Sequence, residues 1–124
     1  MQIPTQYLPI MPYLIVPGGF KFLEFTKETL GAVEQYAALR SEGIIMHGEI
    51  RIQSAVIMFA DVTEHYAHFP GSMFLYLDDV DGLFTKVSAR KDVKMLASLE
   101  DRPYGRGFGF EDPLGNHWWL NTPM

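Results

Sequence analysis

The chain has 124 residues, a length that fits one domain able to bury a core of its own. It contains no cysteine, which excludes disulfides and thiolate metal sites, and its net charge of −5 with no stripe of Lys and Arg argues against a nucleic-acid partner. Residues 1–20 hold four prolines and no basic start, so we expect no signal peptide and no membrane span, and a cytoplasmic location.

The spacing of apolar residues predicts ten elements in chain order. The first five are a strand, a helix and three strands, at 11–16, 20–30, 34–40, 44–52 and 55–60. A polar stretch at 61–71 follows. The next five are a strand, a helix capped by Asp78 or Asp79, and three strands, with the strands at 72–77, 93–99, 104–110 and 117–121.

The two halves share their order of elements and a short identical segment. Phe25-Thr26-Lys27 recurs as Phe84-Thr85-Lys86, an offset of 59 residues (84 − 25). The alternative is chance similarity within an ordinary α+β domain. We expect a single domain over 1–124, made of one module at about 11–60, a connection at about 61–71 and a second module at about 72–121.

Four segments resemble parts of a known superfamily, and their positions along the chain follow the order of that superfamily. Residues 104–120, YGRGFGFEDPLGNHWWL, resemble the closing hairpin of the vicinal-oxygen-chelate superfamily, which contains glyoxalases, bleomycin-resistance proteins and dioxygenases. Residues 22–32 are similar to its first helix, residues 79–84 to the start of its second helix, and residues 46–50 to a segment of its PhnB-type branch.

The resemblance implies an α+β fold in which two βαβββ modules form a cup-shaped, eight-stranded mixed sheet. It also implies a homodimer, with the cup completed within one chain or between chains. The apolar, proline-rich residues 3–12 favour the same expectation, because such a segment forms no stable helix alone and tends to lie against another surface.

In the metal-dependent members, four His and Glu side chains from the first and last strands of each module hold a divalent metal. The matching positions here are about Met11, Met58, Ser72 or Met73, and Trp119. None of these suits a divalent metal, so we expect no metal and no cofactor.

His47 and Glu49 are the candidate catalytic residues. They lie two residues apart on one face of a predicted strand, where they could move a proton or orient a ligand. The alternative is that they face solvent or pair with Arg51. The candidate ligand-binding residues, expected on the wall of the cup, are Tyr13, Met58, Arg106, Phe108, His117 and Trp119.

Arg106 is matched to His47 by the 59-residue offset, so we expect it in the cup as an anion clamp, or else as a surface charge. The glycines that alternate with it, Gly105, Gly107 and Gly109, are expected to let a helix approach the other face of the strand.

In the last strand, His117, Trp119 and Asn121 share a face that suits a ligand pocket, or Trp119 fills a closed core. The leading interpretation is therefore a small-molecule binding protein or a metal-independent enzyme.

Two alternatives remain. One is a metal-dependent lyase or dioxygenase with displaced ligands such as His47, Glu49 and His117. The other is an assembly protein whose cup is filled by its own side chains. His65 and His68 lie in the polar connection rather than on a helix, so we do not expect them to bind metal.

Overall fold

A computed structural model describes all residues, 1–124, and its contacts divide them into two compact units, 1–69 and 70–124. The first unit contains β1 (Tyr13–Val16), α1 (Gly19–Leu30), β2 (Val33–Ser41), β3 (Ile44–Ile52) and β4 (Ala55–Asp61). The second unit contains β5 (Ser72–Tyr76), α2 (Val80–Ser88), β6 (Lys94–Arg102), β7 (Gly105–Glu111) and β8 (His117–Thr122). The predicted order of elements is confirmed, with bounds that differ by three residues at most.

Each unit is one βαβββ module built around a four-stranded mixed sheet. The strand order is β1-β4-β3-β2 in the first module and β5-β8-β7-β6 in the second. The first strand pairs in parallel with the last strand of its module, and the remaining pairs are antiparallel. The predicted α+β class and the two βαβββ modules are thus confirmed, and the eight strands form two hydrogen-bonded sheets of four.

The helix of the first module covers one face of its sheet. Phe22 is fully buried, and its ring centroid lies 4.9 Å from that of Phe59 on β4. The Asp61 carboxylate accepts hydrogen bonds from the backbone N–H of Gly19 (2.9 Å) and of Ile45 (2.7 Å), and so ties the start of the helix to β3. The helix ends at Gly31, whose left-handed φ of 67° suits glycine, as the sequence predicts.

The second module is held by a cap and by a tight turn. Asp79 caps α2 by accepting from the N–H of Gly82 (3.0 Å), and the Phe84 ring of α2 meets Phe108 edge-on at 5.1 Å. In the turn between β7 and β8, the Asp112 carboxylate accepts from the N–H of Leu114 (2.8 Å) and from Nε1 of the buried Trp118 (2.9 Å). This carboxylate explains why an Asp-Pro-x-Gly turn precedes a Trp-containing strand.

Each sheet has one face that carries no helix, which we call the helix-free face. The strand registers show which side chains share it. In the first module one row across this face runs Tyr13, Met58, Glu49 and Tyr36. In the second module the corresponding row runs Phe74, Trp119, Gly109 and Ala97. Equivalent strands of the two modules therefore present very different side chains.

Candidate ligand-binding site

The first module brings four of the predicted site residues onto one face of its sheet. Tyr13, Met58 and Glu49 occupy neighbouring strands in register, and His47 lies two residues before Glu49 on β3. Alternation along a strand puts His47 and Glu49 on the same face, as the sequence predicts. A shared face does not give both residues access to a substrate, because Glu49 is only 2% exposed.

Glu49 is a buried carboxylate surrounded by donors. It accepts from the Tyr7 hydroxyl (2.8 and 2.9 Å to its two oxygens) and from Gln35 Nε2 (3.1 Å), and its Oε2 lies 2.7 Å from His47 Nε2. Burial alone would raise the pKa of Glu49, but the hydrogen bonds from Gln35, His47 and Tyr7 together lower it below its ordinary value. The carboxylate is therefore ionised near neutral pH.

His47 connects Glu49 to Tyr13. An ionised carboxylate only accepts hydrogen bonds, so His47 Nε2 carries the proton directed at Glu49. In the neutral ring, Nδ1 is then an acceptor, and it lies 2.8 Å from the hydroxyl of Tyr13, which donates to it. Burial and the charge of Glu49 raise the pKa of Tyr13, so the phenol keeps its proton. The resulting chain, Tyr13 to His47 to Glu49, is a hydrogen-bonded relay.

The relay ends beside a cavity. Tyr13 is 46% exposed and lines a cavity of about 440 Å³ within the first module, together with Met46, Arg40 and Tyr66. Tyr13 on the cavity wall and the partly exposed His47, rather than the buried Glu49, are thus the groups that a molecule could reach.

The apolar N-terminal stretch contacts the first module of its own chain. The Tyr7 hydroxyl binds Glu49, and the carbonyl of Gln6 accepts from Nη2 of Arg51 (2.7 Å). The Tyr7 pKa is raised by the hydrogen bond to Glu49, so this donor also stays protonated. The polar residues of the segment, which the sequence pattern does not single out, fix it in place.

The second module contains a smaller cavity with aromatic walls. It has a volume of about 180 Å³ and is lined by Phe74, Ala97, Arg102, Tyr104, Phe108, Trp119 and Asn121. The indole of Trp119 donates to the Ser72 hydroxyl (2.9 Å) and lies over Gly109, where an added Cβ would collide with the ring. Absence of a side chain at position 109 is therefore what leaves room for the indole there.

The glycines of β7 face the opposite way from the prediction. Gly107 lies under the side chain of Asn121 and Gly109 under Trp119, so neither faces a helix. The helix α2 packs instead on the other side of β7, where Phe84 contacts Phe108. Phe108 is 2% exposed; it borders the cavity but turns its ring toward α2.

Arg106 also lies on the helix side, and its expected position on a pocket wall is wrong. Its guanidinium is paired with Asp81 (3.0 Å) and with Asp101 (3.1 Å). Hydrogen bonds to these two carboxylates raise the pKa of Arg106, and the bond from Arg106 lowers the pKa of Asp81.

The cause of this error is the offset. The matching rows place Gly109 where Glu49 lies, an offset of 60 residues (109 − 49) rather than 59. A shift of one residue turns every side chain of a strand to the other face.

His117 stands at the margin of the site. Its Nε2 lies 3.0 Å from a carboxylate oxygen of Glu111, and its ring meets Trp119 edge-on at 6.3 Å. It is not among the residues that line the cavity. The sequence analysis did not identify Phe74 and Arg102 as lining residues. Alternation along 72–77 could have placed the Phe74 ring on the same face as the site. The face of Arg102 could not be predicted in this way, because β6 contains register shifts.

The metal that the superfamily resemblance implies does not fit these residues. No group of three or more His, Asp or Glu side chains is placed to hold an ion. The row positions Met58 and Trp119 offer no hard ligand, and the His47 and Glu49 donors bind each other. Neither helix is long and apolar enough to cross a membrane.

Comparison with known proteins agrees with this fold. The family model described as Glyoxalase/Bleomycin resistance protein/Dioxygenase superfamily matches residues 12–120. An uncharacterised protein of Mycobacterium bovis, Mb0911c, is 24% identical over 127 residues, covering 93% of this chain and 83% of that protein.

Two solved structures have a similar fold. A PhnB protein from Bacillus cereus, described as a putative 3-demethylubiquinone-9 3-methyltransferase, has a TM-score of 0.73 at 18% identity, with 93% of this chain and 99% of that chain covered. The bleomycin-binding protein of Streptomyces verticillus, complexed with copper(II)-bleomycin, has a TM-score of 0.65 at 16% identity, with 95% and 98% covered. With two βαβββ modules and a family match over most of its length, the chain belongs to the glyoxalase, bleomycin resistance protein and dioxygenase superfamily.

Proposed function

We propose that this protein binds small molecules and seats a planar aromatic ring on the helix-free face of its second module. The observation that carries the proposal is the cavity walled by Phe74, Tyr104 and Trp119. Phe74 and Tyr104 are about half exposed, with ring centroids 6.2 Å apart, so they offer aromatic surface to a ligand. Aromatic pairs contribute about 0.5–1.5 kcal/mol beyond the apolar area that they bury.

The size of this cavity indicates how much of a ligand it holds. Its volume of about 180 Å³ lies below the roughly 300–1,000 Å³ of pockets that enclose drug-sized molecules. It therefore suits one ring system of a ligand, with the rest of the molecule outside. The bleomycin-binding protein of Streptomyces verticillus, which has a similar fold, is complexed with copper(II)-bleomycin, and this supports a binding role for the fold.

We also propose that the protein uses no metal and no cofactor and lies in the cytoplasm. It forms a homodimer and has no nucleic-acid or membrane partner. The homodimer is supported by the resemblance and by the edge strand β2, where Val33, Tyr36 and Leu39 are 63, 53 and 50% exposed. Light scattering at tens of micromolar should give twice the mass of one chain. A monomer at that concentration would contradict this part of the proposal.

Titration with naphthalene and quinoline derivatives, followed by calorimetry, tests the binding role. The wild type should show saturable binding, and Trp119→Leu should weaken it by about tenfold, as expected when a stacking partner is lost. Tyr36→Phe, a change on the corresponding face of the first module, should leave the affinity unchanged. Equal affinity in the wild type and Trp119→Leu would refute the proposed site.

A second candidate function is metal-independent acid–base catalysis in the first module. The relay from Tyr13 through His47 to Glu49 favours it, because the phenol of Tyr13 keeps its proton and can donate it to a substrate oxygen, while the carboxylate holds the histidine behind it. In this role Glu49 positions His47 and does not touch the substrate. Chelator-treated protein should then exchange the α-protons of hydroxyacetone in D₂O, and Tyr13→Phe should abolish the exchange. No exchange above buffer would count against catalysis of this type.

The metal-dependent alternative predicts near-stoichiometric metal in protein purified without a histidine tag. Elemental analysis of that protein should instead find well under one equivalent of Zn, Ni, Mn or Fe, and His47→Ala should not change the value.

A further inference from the structure

The cavity of the second module contains a buried polar group that the protein leaves without a partner. Asn121 lines the cavity and is 3% exposed, and its Oδ1 is the single buried side-chain nitrogen or oxygen in the chain with no hydrogen bond. It occupies the place where a side chain at Gly107 on the neighbouring strand would begin, and glycine offers it no side-chain donor. A buried amide oxygen without a donor is costly, because it has lost its bonds to water and gained none from the protein.

Donors close to Asn121 are already engaged. Arg102 directs Nη1 to the carbonyl of Gly107 (2.6 Å) and Nη2 to the carbonyl of Ser98 (3.1 Å). The indole N–H of Trp119 donates to Ser72. The arrangement therefore does not supply Asn121 with a donor from the residues beside it.

The charges around the cavity are compensated within the module. Arg102 lines the cavity, but its Nη2 is paired with Glu100 at 3.1 Å. Arg106, on the helix side, is paired with Asp81 and Asp101. With each arginine already next to a carboxylate, the site offers little attraction to an anion and does offer a neutral hydrogen-bonding group.

We propose that Asn121 makes this cavity selective for a neutral planar aromatic ring carrying a carboxamide or a ring amide. The side-chain amide has a donor and an acceptor, which exchange places on a half-turn of its terminal torsion. A ligand amide also has one of each, so it can complete the hydrogen bonds of Asn121 in either orientation while its ring packs against Trp119, Phe74 and Tyr104. This selectivity rests on the proposed aromatic-binding function.

Three probes of similar size test the selectivity on the full chain. They are naphthalene-2-carboxamide, its methyl ester analogue methyl naphthalene-2-carboxylate, and the anion naphthalene-2-carboxylate, with affinities measured by calorimetry and tryptophan fluorescence. The carboxamide should bind about tenfold more tightly than the ester or the carboxylate, since only it pairs both atoms of the Asn121 amide. Equal affinities, or tightest binding of the carboxylate, would overturn the inference.

Substitution of Asn121 provides the second arm. Asn121→Leu, of similar volume, should weaken the carboxamide by about tenfold and leave the ester within about twofold, which removes the preference. If this variant does not fold, Asn121→Ala serves for the same comparison, and the probe series on the wild type stands by itself. A preference that survives both substitutions would show that another group selects the ligand.

The outcomes separate this inference from the function on which it rests. If the three probes bind equally and Trp119→Leu weakens their binding by about tenfold, the aromatic site stands and the role of Asn121 is wrong. If no probe binds, or if binding does not depend on Trp119, the proposed function itself fails.

Discussion

The helix-free faces of the two modules have the same strand arrangement and opposite chemistry. In register, Tyr13, Met58 and Glu49 of the first module correspond to Phe74, Trp119 and Gly109 of the second. The carboxylate of the first row is surrounded by donors from its own module, whereas the glycine of the second row leaves space that an indole covers.

The difference between the two faces indicates which of them can bind a ligand. A polar group whose hydrogen bonds are completed internally stabilises the module and leaves little for a ligand. Aromatic side chains over glycine, beside the unpaired Oδ1 of Asn121, leave both apolar surface and a hydrogen-bonding group available. The following substitutions separate the two faces by their effects on stability and on binding.

The largest effect is expected for Glu49→Ala. Loss of the carboxylate leaves Tyr7, Gln35 and His47 without their shared acceptor, so the free energy of unfolding should fall by about 2–4 kcal/mol. Denaturant titration measures this change. Glu34→Ala, at an exposed glutamate on β2, is the matched control and should change stability by less than about 0.5 kcal/mol. A Glu49→Ala variant as stable as this control would show that the network contributes nothing.

Gly109→Ala should affect the second face instead. The new methyl group meets the Trp119 ring, and overpacking of this kind costs about 1–3 kcal/mol. Displacement of the indole should also change the fluorescence emission and weaken aromatic probes. Ala97→Ser, next to Gly109 in the same row, should leave the indole in place. Unchanged emission in Gly109→Ala would mean that Trp119 does not lie over this glycine.

The acid stability of the wild type should report on Glu49. Its pKa is lowered in the folded protein, so its contribution to stability is fully present above the unfolded value of 4.5 and is lost as the pH falls through the lower, folded pKa. Denaturant midpoints measured from pH 7 to pH 3 should fall more steeply for the wild type than for Glu49→Gln. Parallel curves would contradict the assigned direction of the pKa shift.

The smallest effect is expected for Arg106→Ala. Its ion pairs with Asp81 and Asp101 are exposed, and exposed pairs contribute about 0–1 kcal/mol. Because Arg106 lies on the helix side of β7, the affinity for aromatic probes should not change. A loss of anion binding in this variant would restore the ligand-binding role that the sequence suggests for it.

The fold could be predicted from the sequence because the periodicity is clear in both halves. Alternation over 44–52, the cap at Gly31 and the Asp112 turn each correspond to the observed structure. The common face of His47 and Glu49 followed from the same rule, since residues two apart on a strand share a face.

The site could be predicted only in part. A repeat inferred from an identical segment in the helices gave an offset of 59, and one residue of difference in the strands moved Arg106 and Phe108 to the helix side. Some contacts join residues that are far apart in the sequence, such as Phe74 with Trp119 and Tyr7 with Glu49. No local sequence pattern predicts such contacts.

Amide NMR spectra of the full chain, titrated with naphthalene-2-carboxamide, test the central claim most directly. We predict that the perturbed signals cluster on Phe74, Tyr104, Trp119 and Asn121, with those of His47 and Glu49 unmoved at saturation. Perturbations centred on Tyr13, His47 and Glu49, with the second module unchanged, would contradict it and place binding on the polar face.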